Sequence, residues 1–536
     1  MKQPCDEAAI RAGTPGGSRS DKSRPWILAV TILGSSMAFI DSTIVNVALP
    51  ALQSNLHATV VDVQWVVESY GLFLSALILV GGALGDSLGR RKMFLLGVFV
   101  FAAASAGCGF SSSIKGLVIW RCVQGIAAAF LVPGSLAIIS AYFDEQARGR
   151  AIGTWSGFTA ITTALGPVLG GWLIEHASWH WVFFINLPLA GLVIAISIWH
   201  VPESESRSSQ ARQVDWLGAT MATFGLAGLV YGFLESATLG WKHPRVVGSL
   251  ISGIASLVLF LIIEKRAAAP MVPLDVFRSR SFSGANLLTL FLYAALGVFF
   301  FLFPLNLIQI HKYSATATGA AALPMILLMF LLSRWSGGLV TRYGAKAPLV
   351  VGPIIAAAGF LLFAVPPVSA NYWTSIFPAF LILGLGMAVS VAPLTTVVMS
   401  SVDQDRAGTA SGINNAVARV AGVLAIAVLG AVMTAAFAHS LRYSLTPLHL
   451  DAGVLHDLES NVAKLGGLDA PSSLDPEAKG AIRGAIVQSF VFAFRIIVLL
   501  CAALAVASAW VAARMIPSQG VRLGTYAING HKKSTH

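Results

Sequence analysis

The sequence predicts an all-α membrane protein of fourteen transmembrane helices, and three observations carry that expectation. Hydrophobic residues make up 56% of the 536 positions and charged residues only 11%, against about 25% charged in soluble domains. Apolar runs of roughly 20 residues, the length a helix needs to cross a hydrocarbon core, recur fourteen times. The basic residues between those runs are shared unequally between the two sides.

Backbone polar groups must be paired within lipid, so runs of this length mean helices, and barrel strands are too short to account for them. The first six fall near residues 27–49, 62–84, 93–111, 116–142, 151–174 and 181–200. Two more lie near 215–236 and 247–264. The last six lie near 283–307, 317–340, 348–366, 373–399, 407–437 and 485–513. An even number returns both termini to one side, where the connecting segments carry fifteen Lys and Arg, against Lys115, Lys242, Arg245 and Lys312 on the other. Positive residues stay inside, so both termini are expected in the cytoplasm of a multi-pass protein of the cell inner (plasma) membrane.

The expected organisation is a disordered cytoplasmic tail (1–25), a six-helix bundle (26–202) and a linker with two extra helices (203–281). A second six-helix bundle (282–515) and a cytoplasmic tail (516–536) follow. A polar outer loop, 438–483, interrupts the second bundle; it reads as a plain connection or as a lid. Gly82-x-Leu84-x-x-x-x-Gly89-x-Arg91 recurs as Gly337-x-Leu339-x-x-x-x-Gly344-x-Lys346, each after the second helix of a six-helix group. Two matching halves around a midplane cavity are the architecture of a secondary transporter.

Composition also excludes. The formal charge of +11 is dispersed over short connecting segments, which argues for membrane orientation and against nucleic acid. Cys5, Cys108, Cys122 and Cys501 have no metal or disulfide spacing. No catalytic triad or phosphate-binding loop is present, so neither an enzyme nor ATP-driven transport is expected, and no cofactor or metal is called for.

Asp41 is the most informative residue, a carboxylate inside an apolar run. A charge at such depth costs roughly 2.5–3.5 kcal/mol on insertion scales and faces a bundle interior, a water cavity or a partner. At 1.5 Å per residue, Asp41 lies about 13 Å, Glu68 about 9 Å and Arg121 about 8 Å from the outer ends of their runs. This shared depth suggests a coupled proton site; a permanent Asp41–Arg121 pair that locks helices together is the alternative. Arg419 and Arg495 lie about 18 Å and 15 Å into their runs, yet no carboxylate occurs between Asp275 and Asp403. Their partners are first-half carboxylates, backbone carbonyls or an anionic group on a substrate. Asn46, Gln124, Asn415, Arg419 and Arg495 are the candidates for lining a substrate cavity.

Gly82-Ala83-Leu84-Gly85-Asp86-Ser87-Leu88-Gly89-Arg90-Arg91-Lys92 reads as a tight cytoplasmic turn in which Asp86 can cap a helix end or pair with an Arg. It resembles the G-x-L-x-D-x-x-G-R-R-K signature of the major facilitator superfamily. Arg121-Cys122-Val123-Gln124-Gly125 is similar to that family's R-x-x-Q-G element. Gly166-Pro167-Val168-Leu169-Gly170-Gly171 resembles its antiporter element, with Thr162 where the leading glycine is usual. Trp179-His180-Trp181-Val182-Phe183-Phe184-Ile185-Asn186-Leu187-Pro188 resembles a signature of the fourteen-span drug:proton antiporter branch, with His180 in place of Arg; the Trp residues read as interfacial anchors. In the second half the likeness rests on Arg406-Ala407-Gly408 through Asn414, Asn415 and Arg419.

The resemblance implies a major facilitator fold and a proton-driven antiporter exporting small molecules by alternating access. Asp41, Glu68 and Arg121 would couple the proton, Gly82, Leu84, Gly85, Asp86, Gly89, Arg90 and Arg91 would form the gate, and Gly166, Pro167, Gly170 and Gly171 would form the antiporter helix. The partners implied are protons, a small-molecule substrate and the lipid bilayer, with a monomer as the simplest unit. A proton-coupled metabolite symporter is the alternative, and a non-transporting membrane sensor on the same scaffold a more distant one.

Overall fold

A computed structural model of the protein describes residues 23–143, 145–203, 215–267, 270, 272–365, 371–402, 407–448, 450–471 and 474–517. The expected 1–25 and 516–536 tails therefore lie almost wholly outside the described residues, as does part of the 203–281 linker.

The first half contains α1 (Arg24–Asn55), α2 (Val60–Leu88), α3 (Arg90–Gly109), α4 (Ile114–Tyr142), α5 (Glu145–His176), α6 (Trp181–Phe184) and α7 (Asn186–His200). The inserted pair is α8 (Trp216–Leu239) and α9 (Pro244–Arg266). The second half contains α10 (Arg280–Leu305), α11 (Ala315–Ala320), α12 (Leu323–Tyr343), α13 (Lys346–Ala364), α14 (Phe377–Ser400), α15 (Ala407–Leu445), α16 (Ala452–Ser460) and α17 (Pro476–Met515). Thirteen helical stretches among the described residues are long and apolar enough to cross a membrane. With α5, which is 32 residues long, they account for the fourteen expected spans.

Two expected spans are jointed. The sixth is α6 and α7, meeting at Ile185, and the tenth is α11 and α12, meeting at Ala321 and Ala322. The ends of α10 and the start of α14 pass through five-residue π turns, Asn306–Ile310 and Tyr372–Ile376.

Close helix approach depends on glycine. A Cβ on Gly81 would lie 2.1 Å from the Ala129 carbonyl oxygen and one on Gly125 would lie 2.5 Å from that of Tyr70, so these residues let α2 and α4 touch along their backbones. Helix α1 packs on α5, and α10 on both α15 and α17. The inserted helix α8 covers the line where α2 of the first half meets α15 of the second. Val61, Leu72, Leu226, Val230, Leu234, Val423 and Ala427 fill that seam.

The expected turn at Gly82 is smaller than the sequence suggested. Helix α2 continues through Leu88, and the chain reverses at Gly89 alone, with φ 108°. In the second half Gly344, with φ 73°, stands in the same place between α12 and α13. Both positions need the left-handed backbone that only glycine adopts cheaply. The repeat is therefore structural as well as sequential.

The 438–483 segment is more ordered than a plain connection. Helices α15 and α17 extend into it, and α16 and a 3₁₀ turn (Val462–Gly467) fold between them. Leu458, Leu465 and Leu468 are buried, and Leu465 is held at φ 49°, a strained conformation for a branched residue.

Candidate functional site

Asp41, Arg121, Gln124, Ser105 and Asn186 form one buried polar cluster inside the first half. Arg121 Nη1 donates to Asp41 Oδ2 at 2.5 Å and to Gln124 Oε1 at 2.7 Å, and its Nε donates to the Val66 carbonyl at 3.0 Å. The second Asp41 oxygen, Oδ1, accepts from Gln124 Nε2 at 2.8 Å and Asn186 Nδ2 at 3.3 Å. Both amides also donate to Ser105 Oγ. The Tyr70 ring lies 4.3 Å from the Arg121 guanidinium, and the Tyr70 hydroxyl donates to the Ala38 carbonyl at 3.1 Å. One carboxylate, one guanidinium and two amides thus tie α1, α3, α4 and α7 together.

Register explains the geometry. Arg121 and Gln124 are one helical turn apart, so both project from one face of α4. The bare Cα of Gly125 lets that helix come close enough to α2 for Arg121 to reach the Val66 carbonyl. Ser105 carries no sequence signal of its own, and Asn186 stands out only as part of the Trp179–Pro188 element; packing is what shows both to be part of the site.

Glu68 does not join this cluster, although the shared depth suggested it would. It is fully buried, and among the described residues neither carboxyl oxygen has a hydrogen-bond partner. Positions 61, 65, 68 and 72 of α2 share one helical face, which puts Glu68 on the apolar seam with α8 and α15. A neighbouring polar atom on α2, Gln64 Nε2, is also buried without a hydrogen-bond partner among the described residues.

The cavity candidates separate in the same way. Gln124 belongs to the ion-pair cluster and not to a cavity lining, because Asp41, Arg121 and Ser105 occupy its polar atoms. Asn46 is half-buried with an unpartnered Oδ1. Asn415 is exposed on α15, and Arg419, one turn further on, is half-buried 6.0 Å from the Phe39 ring of α1. Arg495 lies elsewhere, at a small pocket of the second half beside Phe303, His311 and Phe363.

At the face carrying the termini, the Asp86 side chain lies outside the described residues. The N-terminus of α3 is capped instead by Glu203, whose carboxylate accepts from the backbone N–H of Arg91 at 3.1 Å and of Lys92 at 3.2 Å. Arg90 donates to the Ala137 carbonyl and Arg91 to that of Ile198, both at 3.3 Å. Leu84 is half-buried and Gly85 buried on the last turns of α2.

The antiporter element divides its contacts between the halves. A Cβ on Gly166 would meet Thr43 Oγ1 at 2.2 Å and one on Gly170 would meet Ile44 at 2.5 Å, so these glycines seat α5 on α1. A Cβ on Gly171 would strike Ala315 of the second half at 2.4 Å, and Gly319 faces the Pro167 carbonyl just as tightly. Trp179, expected as an interfacial anchor, is instead buried, while Trp181 is exposed.

More contacts join the halves at the face opposite the termini. Gln309 Nε2 donates to Gln53 Oε1 at 2.8 Å, and Gln53 Nε2 donates to the Lys464 carbonyl at 3.0 Å. Within the second half, Arg483 donates to the carbonyls of Gly466, Leu468 and Gln309 and so ties the 3₁₀ turn to the end of α10. Glu175 of α5 accepts from the Thr316 backbone N–H at 2.8 Å and its hydroxyl at 2.7 Å. Desolvation is the largest single influence on Glu175 and opposes its charge, but the hydrogen bonds from Thr316, with that from Ser314 and the nearby His176, together outweigh it and hold the carboxyl below its ordinary value.

Comparison with known proteins agrees with this architecture. The family model described as Major Facilitator Superfamily matches residues 31–426. The chain is 35% identical over 433 residues to the tetracenomycin C resistance and export protein of Streptomyces glaucescens, covering 80% of this chain and 79% of the relative. It is 33% identical over 454 residues to the multidrug resistance protein Stp of Mycobacterium tuberculosis, covering 82% and 83%. Among solved structures, a bacterial homolog of the human lysosomal transporter Spinster superposes with a TM-score of 0.61 at 18% identity, covering 92% of this chain and 98% of the other. The chain belongs to the major facilitator superfamily and stands among its drug and antibiotic resistance exporters.

Proposed function

We propose that the protein is a proton-driven exporter of small molecules of the antibiotic class that its relatives are named for, working as an antiporter by alternating access. The observation that carries this is the contrast between its two deep carboxyl groups. Asp41 is paired inside one half, and Glu68 is partnerless on the seam between halves. By the positive-inside excess, the face opposite the termini is the outer one.

Each carboxyl group has a distinct part. A proton arriving on Asp41 turns an acceptor oxygen into a donor that faces Arg121, Gln124 and Asn186, which are donors themselves. The hydrogen-bond set must then rearrange, and α1, α4 and α7 shift with it. Glu68 fits its apolar seam as a neutral carboxyl, whereas an ionised one there would be an uncompensated buried charge. Its proton therefore leaves only when α2 and α15 part, which ties deprotonation to the rocking of the 26–202 half against the 282–515 half. The Gly82–Arg91 element gates the cytoplasmic face, and the Gly166–Gly171 face of α5 is the surface on which the halves rock. The chain works as a monomer.

The test uses cells expressing the protein and a panel of antibiotics, followed by inverted membrane vesicles and the compound to which expression gives most resistance. Imposing an inward-acid gradient should drive accumulation of that compound, and collapsing the gradient should stop it. Accumulation that persists after collapse, or uptake only into right-side-out vesicles, would falsify proton-driven export.

A further inference from the structure

Two arginines of the membrane helices are saturated among the described residues. Arg121 is occupied by Asp41, Gln124 and the Val66 carbonyl, and Arg483 by three backbone carbonyls. Arg419 is different. Among the described residues its guanidinium lies over the face of Phe39, at 6.0 Å, and near enough to Tyr70 for the two to interact electrostatically, but no hydrogen bond or ion pair reaches it. The neighbouring Asn414 is bonded to Asn286 and Thr289.

A fixed cation far into a membrane helix marks a ligand or ion path unless a protein group compensates it. Asp41 is committed to Arg121, and Glu68 is one α-helical face away on the α8 seam. Arg419 stands on α15 of the second half and Phe39 on α1 of the first, so the pair spans the interface along which a substrate must pass. Phe39 is backed by Trp155 in an edge contact at 6.4 Å, and Trp155 is held by its indole N–H on Ser35 Oγ at 3.1 Å. An aromatic wall thus stands beside an open donor fork.

We infer that Arg419 and Phe39 together receive the acidic group of an aromatic organic anion, a carboxylate, phenolate or enolate attached to a flat ring system. A guanidinium offers such a group two parallel N–H donors, and the ring system lies on Phe39. The negative-inside potential assists the outward passage of an anion. The inference rests on the export reading, whose substrate class it names.

The test uses the full chain in lipid nanodiscs and three probes that share one ring system: anthracene-9-carboxylate, its methyl ester and 9-(aminomethyl)anthracene. Wild type should bind the carboxylate about tenfold or more tightly than the ester, the range expected for charge-assisted hydrogen bonds. Arg419→Ala should remove that preference while ester binding stays, and Arg419→Lys should keep part of it. Equal binding of the three probes by wild type, preference for the amine, or a carboxylate preference that survives in Arg419→Ala overturns the inference. The wild-type comparison stands even if a variant fails to fold. Vesicle transport separates the two readings. Gradient-driven export without anion preference leaves the exporter standing and removes the site, whereas anion binding without gradient-driven transport does the reverse.

Discussion

Asp41 and Glu68 show how far a single residue can be read from a sequence. Each was legible as a deep charge, because a carboxylate in an apolar run stands out on composition alone. What each one faces was not legible, since that depends on helix rotation and on neighbours such as Ser105, which carries no signal, and Asn186, whose motif does not say what it touches. The difference makes opposite predictions. Asp41→Asn should abolish gradient-driven transport and also lower thermal stability, because Arg121 keeps an acceptor but loses its counter-charge. Arg121→Ala should cost more, about 3–5 kcal/mol, since it leaves a buried carboxylate without its cation. Glu68→Gln should leave the melting temperature in detergent unchanged or raised, because the amide matches a neutral carboxyl, while transport is lost. A large drop in melting temperature for Glu68→Gln would mean that the carboxyl has a stabilising partner and that its assigned role is wrong.

At the scale of elements, the centres of the helices were legible, because bilayer thickness imposes run lengths that composition reports directly, but helix ends that run beyond the apolar stretch, as α15 and α17 do into the 438–483 segment, were not. The joints at Ile185 and at Ala321 and Ala322 were not, as the apolar pattern continues across them. The turn at Gly89 was legible as a motif but not as geometry, and its helix cap comes from Glu203, distant in sequence. Gly89→Ala should be unfavourable on two counts. It places a Cβ at φ 108°, and that Cβ would lie 2.8 Å from the Glu203 carboxylate. A loss of about 1–3 kcal/mol is expected for such backbone strain, read as a lower unfolding temperature. Glu203→Ala should cost about 1 kcal/mol through loss of the α3 cap. If both variants match wild type in stability and in transport rate, the turn is a simple connection.

For the whole molecule, the internal repeat announced two halves, and the structure shows where they are joined. Cross-half hydrogen bonds lie opposite the termini, through Glu175 with Thr316 and through Gln53 with Gln309 and the 3₁₀ turn of the 438–483 segment. A loop of low hydropathy gave no hint of this, because its anchors are backbone carbonyls. If the halves rock, these contacts must break once per cycle. Cross-linking Cys residues placed at Gln53 and Lys464, in a Cys122→Ser background, should stop export, and reducing the cross-link should restore it. Glu175 adds a dependence on external acidity. Its carboxyl is held below its ordinary value of about 4.3 by Thr316, so its contribution to the closed outer face is present at neutral pH and is lost as pH falls through that depressed value. Spin labels on the outer ends of α5 and α11 should therefore separate as the pH is taken from about 7 to below 4. In Glu175→Gln, which accepts through a neutral oxygen and does not titrate, the distance should be the same at both ends of that range. A wild-type distance that does not change with pH would show that Glu175 bears no share of the outer closure, leaving Gln53, Gln309 and the backbone contact of Gly171 to hold it.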